Sequence, residues 1–139
     1  MLEQTFCVIK PDGVKRGLSE EITNRIKQSG LAIKENKNIN ISKEQAEKLY
    51  TAHKSKAFYQ GLVKFITSAP VEMMVLEGDD AVSKLRKLMG ETDPREALVG
   101  TIRGDLKEEK VLNHDGILKN IIHGSDSQEN AKYEISIFF

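Results

Sequence analysis

An α/β fold built as a two-layer sandwich is predicted by three features of the sequence. Four short apolar, β-rich runs alternate with segments whose apolar residues recur at helical spacing. Capping residues and glycines bound most of those segments. No repeat, linker or low-complexity stretch divides the 139 residues, so residues 1–139 are expected to form one domain with a core that needs no disulfide. A split βαβ layout is the natural candidate, with a small doubly wound parallel sheet as the alternative.

Thr5–Ile9 is apolar on both parities, the pattern of a central strand covered on both faces. Lys10 stands at its exit, either as a solvated strand-end charge or as a cation aimed at a ligand across the sheet edge. Pro11-Asp12-Gly13 has turn chemistry. Ser19 is expected to cap a helix with Glu20 and Glu21 in its first turn, Leu18, Ile22 and Ile26 along one side, and Gly30 at its end. Leu31–Ile41 follows as a long strand with Leu31, Ile33, Ile39 and Ile41 on one face. Glu35 and Lys37 break that face, so a bend or an exposed edge is expected midway.

Ser42-Lys43-Glu44-Gln45 is a capping box. Ala46, Leu49, Tyr50 and His53 form a stripe in which Tyr50 and His53 read as ordinary packing. The next helix is expected over residues 56–67 with Phe58, Leu62, Phe65 and Ile66 inward; Phe58, in its first turn, reads as a core or half-exposed aromatic. Pro70 ends that pattern, and Val71–Leu76 is a buried strand running to Gly78. Asp79 is expected to cap a helix with Val82, Leu85, Leu88 and Met89 inward and Gly90 at its close. Arg86, near its C-terminal end, is explained by the macrodipole alone. Regular structure thins from Glu91 to Lys119. There Glu91-Thr92-Asp93-Pro94 reads as a turn and helix start, and Gly100-Thr-Ile-Arg-Gly-Asp105 carries a flanked arginine. His114-Asp115-Gly116 reads as a surface turn. Ala131, Ile135 and Phe138 mark a final helix.

Lys and Arg total 21, as do Asp and Glu, so no global charge draws the chain to nucleic acid or to an anionic membrane. Any anion binding must come from a local cluster. No apolar run approaches transmembrane length, and Met1-Leu2-Glu3-Gln4 is not a signal peptide. The single cysteine, Cys7, lies in an apolar run and reads as a small buried hydrophobe, so a cytoplasmic setting is expected.

The most informative stretch is Asn120-Ile-Ile-His-Gly-Ser-Asp-Ser127. A short buried strand is expected to end at His123, the chain to turn at Gly124, and Ser125 or Ser127 to cap a helix. Ser125 has Gln128 at capping-box spacing. An imidazole at a strand end beside a helix N-terminus occupies a place that suits anions. From local chemistry His123 is a nucleophile, a base, or a core histidine with its hydrogen bonds satisfied. The sequence contains no P-loop, no Gly-x-Gly-x-x-Gly, no protein-kinase set, no zinc spacing and no Gly-x-Ser-x-Gly elbow. The aromatic sheet motif of RNA-recognition domains is also missing. Phosphate, if handled, must be held by side chains such as Lys10, Arg86 and Arg103.

With those residues in view, the chain resembles the nucleoside diphosphate kinases. Thr5-Phe-Cys-Val-Ile-Lys10-Pro-Asp-Gly13 looks like that family's opening strand and turn. Gly90-Glu-Thr-Asp-Pro94, Gly100–Asp105 and Asn120–Ser127 match its other signatures in order, over about residues 4–139. The resemblance implies a ferredoxin-like βαββαβ fold with a four-stranded antiparallel sheet and covering helices. It also implies transfer of a γ-phosphate between nucleotides by a ping-pong route through a phosphohistidine on His123. By the same resemblance Glu134 holds the far ring nitrogen of His123, and Ser125 steadies that carboxylate. Lys10, Arg86, Thr92 and Arg103 match phosphate-binding positions, and Tyr50 matches a tyrosine near the histidine. Phe58 matches the aromatic that stacks on the base, and Asn120 the amide that bonds the sugar. Nucleoside di- and triphosphates are then the partners, in a homo-oligomer built on a dimer. Mg²⁺ arrives on the nucleotide rather than in a protein cage, and no specific nucleic acid is expected.

The sequence departs from the family pattern in four places. Leu49 precedes Tyr50 where histidine is common, and Lys56-Ala57 precedes Phe58 where Arg-Pro is common. Asp105–Lys119 is several residues longer than usual, and the C-terminal tail of many members is missing. A histidine phosphocarrier or a non-catalytic nucleotide-binding module on the same fold is the alternative. A carrier has no use for base and sugar contacts, so Phe58 and Asn120 beside the phosphate cations favour the kinase.

Overall fold

A computed structural model describes residues 2–139. Its elements, in order, are β1 (Leu2–Ile9), α1 (Pro11–Lys15), α2 (Ser19–Gln28), β2 (Ala32–Ile39), α3 (Lys43–Leu49), α4 (Tyr59–Ile66), β3 (Val71–Asp79), α5 (Ala81–Met89), α6 (Ile102–Leu106), β4 (Ile122–Gly124) and α7 (Gln128–Phe138). A single 3₁₀ turn at Thr51–His53 joins α3 to α4. The sheet order is β2-β3-β1-β4 and every pairing is antiparallel, so the parallel alternative falls. β1-α2-β2-β3-α5-β4 is the expected βαββαβ sandwich, and α3, α4 and α7 cover its other face.

β1 is central because its two parities feed two cores. Cys7 and Ile9 join Ile22 and Ile26 of α2 and Leu85 and Met89 of α5. Phe6 and Val8 join Ala46 of α3, Val63 of α4 and Phe138 of α7. Burial of such side chains stabilises the sandwich by about 1.5–3 kcal/mol each.

β2 departs from the expected single apolar face. Its pairing with β3 slips between Ile33 and Glu35, a bulge that turns the rest of the strand over. Leu31 and Ile33 therefore pack in the α2/α5 core, while Ile39 and Ile41 pack in the opposite one.

Several helix ends also differ from expectation. Pro11-Asp12-Gly13 opens the one-turn helix α1, with Lys10 as N-cap and proline at the first position, where its missing N–H costs nothing. Leu18 is the N-cap of α2, and Ser19 lies inside it without capping. α4 starts at Tyr59, so Tyr59, Val63 and Ile66 form its buried face; Phe58 stands at the N-cap and is 44% exposed. Glu91–Pro94 stays a turn, because the Asp93 carboxylate accepts from the Arg95 backbone N–H and guanidinium instead of starting a helix. Ser127, not Ser125, caps α7 by accepting from the Asn130 N–H. The Ser42 capping box forms as expected.

Asp79 ends β3 and does not cap α5. The N-cap is Asp80, at φ 51, which makes no side-chain cap bond. Glu3 of β1 supplies the cap across the sheet: its Oε1 accepts from the Val82 N–H at 2.9 Å, and its Oε2 accepts from Gln128 Nε2 of α7 at 2.7 Å. Glu3→Ala is expected to cost about 1 kcal/mol, a fall in melting temperature of roughly 3–4 °C, with Glu3→Gln recovering most of the loss because it keeps an acceptor. A melting temperature unmoved by Glu3→Ala would contradict the capping role.

Candidate active site

β4 is short because only Ile122–Gly124 pair with Ile9–Cys7. Just before it the backbone makes an i→i+2 bond, Ile122 N–H to Asn120 O at 2.7 Å, with Ile121 at φ 75. A positive φ is sterically costly for a β-branched residue, and a γ-turn of this hand is strained. Ile121 is fully buried, so packing locks it in place.

Groups from distant elements hold this turn. The Lys10 N–H donates to Ile121 O at 2.7 Å, and Asp12 Oδ2 of α1 accepts from the Ile121 N–H at 2.9 Å. Arg103 of α6 donates from Nε to Asn120 O at 3.0 Å and from Nη2 to Ile122 O at 2.6 Å; its Nη1 reaches Gly90 O at 3.1 Å. Gly13 lets α1 approach, because a Cβ there would lie 2.9 Å from Ile9 Cγ2 and 3.1 Å from Ile121 Cγ2.

The turn delivers His123 to the middle of β4. Its Nε2 lies 2.8 Å from Glu134 Oε1, and Ser125 Oγ donates to that same oxygen at 2.7 Å. Glu134 is on the buried side of α7. A carboxylate at Nε2 holds the proton there, so Nδ1 carries the lone pair. The Phe6 ring packs edge-on against the imidazole at 6.1 Å.

A second set of polar contacts joins the remaining expected residues. Lys10 Nζ donates to Asn120 Oδ1 at 2.7 Å, and Asn120 Nδ2 donates to the Thr92 carbonyl at 3.0 Å. Burial pulls the Lys10 ammonium down to about 8; Arg103 lowers it further and Asp12 partly opposes this. Burial likewise brings Arg103 down to about 10, with Arg86 the next contributor. Arg86 itself is exposed in the last turn of α5 and couples to the others through its charge. Tyr50 is buried, and its hydroxyl is raised well above the usual range by burial and by the nearby Glu134 and Asp12 carboxylates.

Phe58 joins this set through a residue that the sequence presented only as packing. The His53 ring lies 6.3 Å from Tyr50 and 5.5 Å from Phe58, and its buried Nδ1 has no hydrogen-bond partner among the described residues. Asp12 is the other site residue that looked like plain turn chemistry. Its carboxyl is raised by burial, and its Oδ1 is buried without a partner among the described residues. Its adjacency to Lys10 was the one available signal.

Lys10, Thr92, Arg103, Asn120 and the His123 strand are thus linked by hydrogen bonds, and His123, Ser125 and Glu134 form a second linked set. Arg86 and Tyr50 are tied to these sets electrostatically, and Phe58 through His53. The result is a lone-pair nitrogen on a strand whose entry is tied to two buried cations, a chemistry suited to a phosphoryl group.

Residues 3–139 match the family model described as "Nucleoside diphosphate kinase". The chain is 50% identical over 138 residues to the nucleoside diphosphate kinase of Sulfurisphaera tokodaii, covering 99% of this chain and 89% of that protein. It is 51% identical over 138 residues to that of Listeria monocytogenes, with the same coverage. Among solved structures it is similar to the halophilic enzyme of Halobacterium salinarum in complex with CDP, at 45% identity and TM-score 0.89, covering 100% of this chain and 88% of that one. It is also similar to a transition state mimic of the Borrelia burgdorferi enzyme with bound vanadate and ADP, at 37% identity and TM-score 0.91, covering 99% and 87%. With fold, motifs and full-length identity in agreement, this chain belongs to the nucleoside diphosphate kinase family.

Proposed function

We propose that this chain moves the γ-phosphoryl group of a nucleoside triphosphate onto a nucleoside diphosphate in two half-reactions, with His123 Nδ1 as the relay. The observation that carries the reading is the Ser125–Glu134–His123 chain, in which one carboxylate oxygen holds Nε2 at 2.8 Å. Nδ1 attacks the γ-phosphorus as the bridging P–O bond breaks, and the diphosphate leaves. The Nε2 proton stays shared with Glu134, whose carboxylate balances the positive charge that develops on the ring. A second diphosphate then attacks the phosphohistidine, reversing the path. Little covalent work falls to the protein in such a transfer; positioning and charge stabilisation dominate.

Lys10, Arg86 and Arg103 are the cations that would face the phosphates, with Thr92 beside them. Asn120 would meet the sugar, Phe58 the base, and Tyr50 would back the histidine. Among the described residues no three His, Cys, Asp or Glu side chains gather to hold a metal. The Lys10, Arg103 and Asn120 donors are cationic and amide, which suits phosphate oxygens, so Mg²⁺ would enter on the nucleotide as part of the substrate. A homo-oligomer built on a dimer belongs to the same reading, supported by the open edge of β2. So do a single 1–139 domain and a cytoplasmic location, the latter resting on the free, buried thiol of Cys7.

Incubated with γ-labelled ATP and no acceptor, the protein is expected to take up acid-labile, base-stable label and to release it to an added diphosphate. Label that never leaves would favour a phosphocarrier, and absence of label would favour a binding module. His123→Ala is expected to abolish labelling without moving the circular-dichroism spectrum. Glu134→Ala should slow phosphorylation at least about tenfold with nucleotide affinity largely kept; a loss confined to affinity would contradict its orienting role.

Lys10 adds a pH signature. Its ammonium titrates near 8 in the free protein, and a bound phosphate favours the charged form. Below pH 8 the lysine is already protonated and binding moves few protons. Above pH 8 it must take up a proton to bind, so ADP affinity should fall by up to about tenfold per pH unit. Calorimetry in buffers of different ionisation enthalpy at pH 6.5 and 8.5 checks this. Equal proton uptake at both values would remove Lys10 from the phosphate site.

A further inference from the structure

The lengthened segment before the histidine strand folds as a small hairpin. Leu112 and Leu118 bridge across it, the Asn113 N–H donates to Ile117 O at 2.9 Å, and Asn113 Oδ1 accepts from the N–H groups of Asp115 and Ile117, each at 2.9 Å. Gly116, at φ +77, makes the turn at the tip. The hairpin is seated on α4 through Ile117, which lies so near Gly61 that a Cβ there would be 2.7 Å from Ile117 Cδ1. Lys64 of α4 adds an ion pair, with Nζ 3.3 Å from Asp115 Oδ2. A cleft of about 280 Å³ remains between the two, lined by Phe58, Gln60, Gly61, Lys64, Asp115 and Ile117.

We propose that the Lys64–Asp115 pair of this hairpin cleft reads the edge of the base stacked on Phe58 and gives the chain a preference for guanine nucleotides. The inference rests on the proposed stacking role of Phe58, and its chemistry is separate from phosphoryl transfer. Stacking alone tolerates every base, because every base has a π-face. A carboxylate only accepts hydrogen bonds, so it selects edges that offer adjacent donors. Guanine presents N1–H and N2–H side by side, with the O6 acceptor next in line. Asp115 offers the acceptors and Lys64 a donor 3.3 Å away, in matching order. Adenine and cytosine place an acceptor beside a single amino group, and uracil flanks its N–H with two acceptors, so each sets a lone pair against the carboxylate. The Lys64 ion pair and the His114 Nε2 contact, both at 3.3 Å, fall on Oδ2, which leaves the two lone pairs of Oδ1 to accept from N1–H and N2–H of the base. The Asp115 side chain is 33% exposed, so solvent competes and the preference is moderate.

The test measures dissociation constants of the full chain for the Mg²⁺ complexes of GDP, IDP, ADP, CDP and UDP, and the discharge of label from the phosphorylated protein to each. GDP is expected to bind about tenfold more tightly than ADP, CDP or UDP. IDP, which lacks the 2-amino group, should bind at least about threefold more weakly than GDP, a comparison that needs no variant. Asp115→Ala should bring the ratio of GDP to ADP affinity to within about twofold, and Lys64→Ala should reduce it. A protein that transfers normally but binds GDP, IDP and ADP within twofold overturns the hairpin's role alone, as does a GDP preference that survives Asp115→Ala. Failure of every diphosphate to discharge the protein overturns the transfer reading and this inference together.

Discussion

The backbone turn at Ile121 is the constraint on which the site depends. A buried β-branched residue at φ 75 costs of order 1–3 kcal/mol and persists only where its surroundings over-determine it. Here they do. The exit of β1 and helix α1 contribute one bond each to the three residues Asn120–Ile122, and the Arg103 guanidinium of α6 contributes two. The turn sets the direction in which β4 leaves, and therefore where the imidazole two residues later points. Groups far apart in the chain thus share one task, to fix a ring whose far nitrogen meets Glu134.

The same groups keep charge where a protein interior resists it. Lys10 and Arg103 are each only 6% exposed, and their depressed proton affinities measure the cost of holding them unliganded. Carbonyls and the Asn120 amide satisfy their donors, while Asp12 is the buried anion that partly offsets them. A polyanion entering here would relieve repulsion that already exists. On the proposed reading the ligand would meet dipoles set in advance, with little reorganisation left for the moment of reaction. Asp12 has a second use, because the carboxylate that offsets Lys10 also accepts the N–H at the apex of the strained turn.

What the sequence disclosed follows from how local each signal is. The Ser42 capping box closes within four residues, and the apolar run Thr5–Ile9 is complete in five, so both were legible. The β2 bulge was legible only as an expected bend or exposed edge at Glu35 and Lys37, since Leu31, Ile33, Ile39 and Ile41 share a parity and only pairing with β3 shows the slip. The cap on α5 comes from Glu3 on another strand, so the nearby Asp79 looked like the better candidate. Ser125 has the spacing of a cap but is drawn inward by Glu134, leaving the cap to Ser127. Phe58 missed its expected face because α4 begins at Tyr59, three residues later than expected, which leaves Phe58 at the N-cap outside the buried face. The histidine motif was plain, and the family resemblance supplied its partners. Asp12 and His53 were passed over because their environments are built by remote or ring contacts that no local pattern encodes.

The brevity of β4 sets a limit on how long the site holds together. The imidazole rides on a strand paired through three residues to a segment more than a hundred residues earlier. Contacts of such sequence separation form late in folding, after the long β1–β3 and β2–β3 pairings have closed. An edge strand with so few rungs is also the first part of the sheet that fluctuations can lift, at a free energy below that of global unfolding. The sheet would persist through such an opening, whereas the Glu134 contact and the Ile121 turn would both dissolve. Catalytic competence and foldedness are thus separate equilibria in this protein, and the first is the more easily lost.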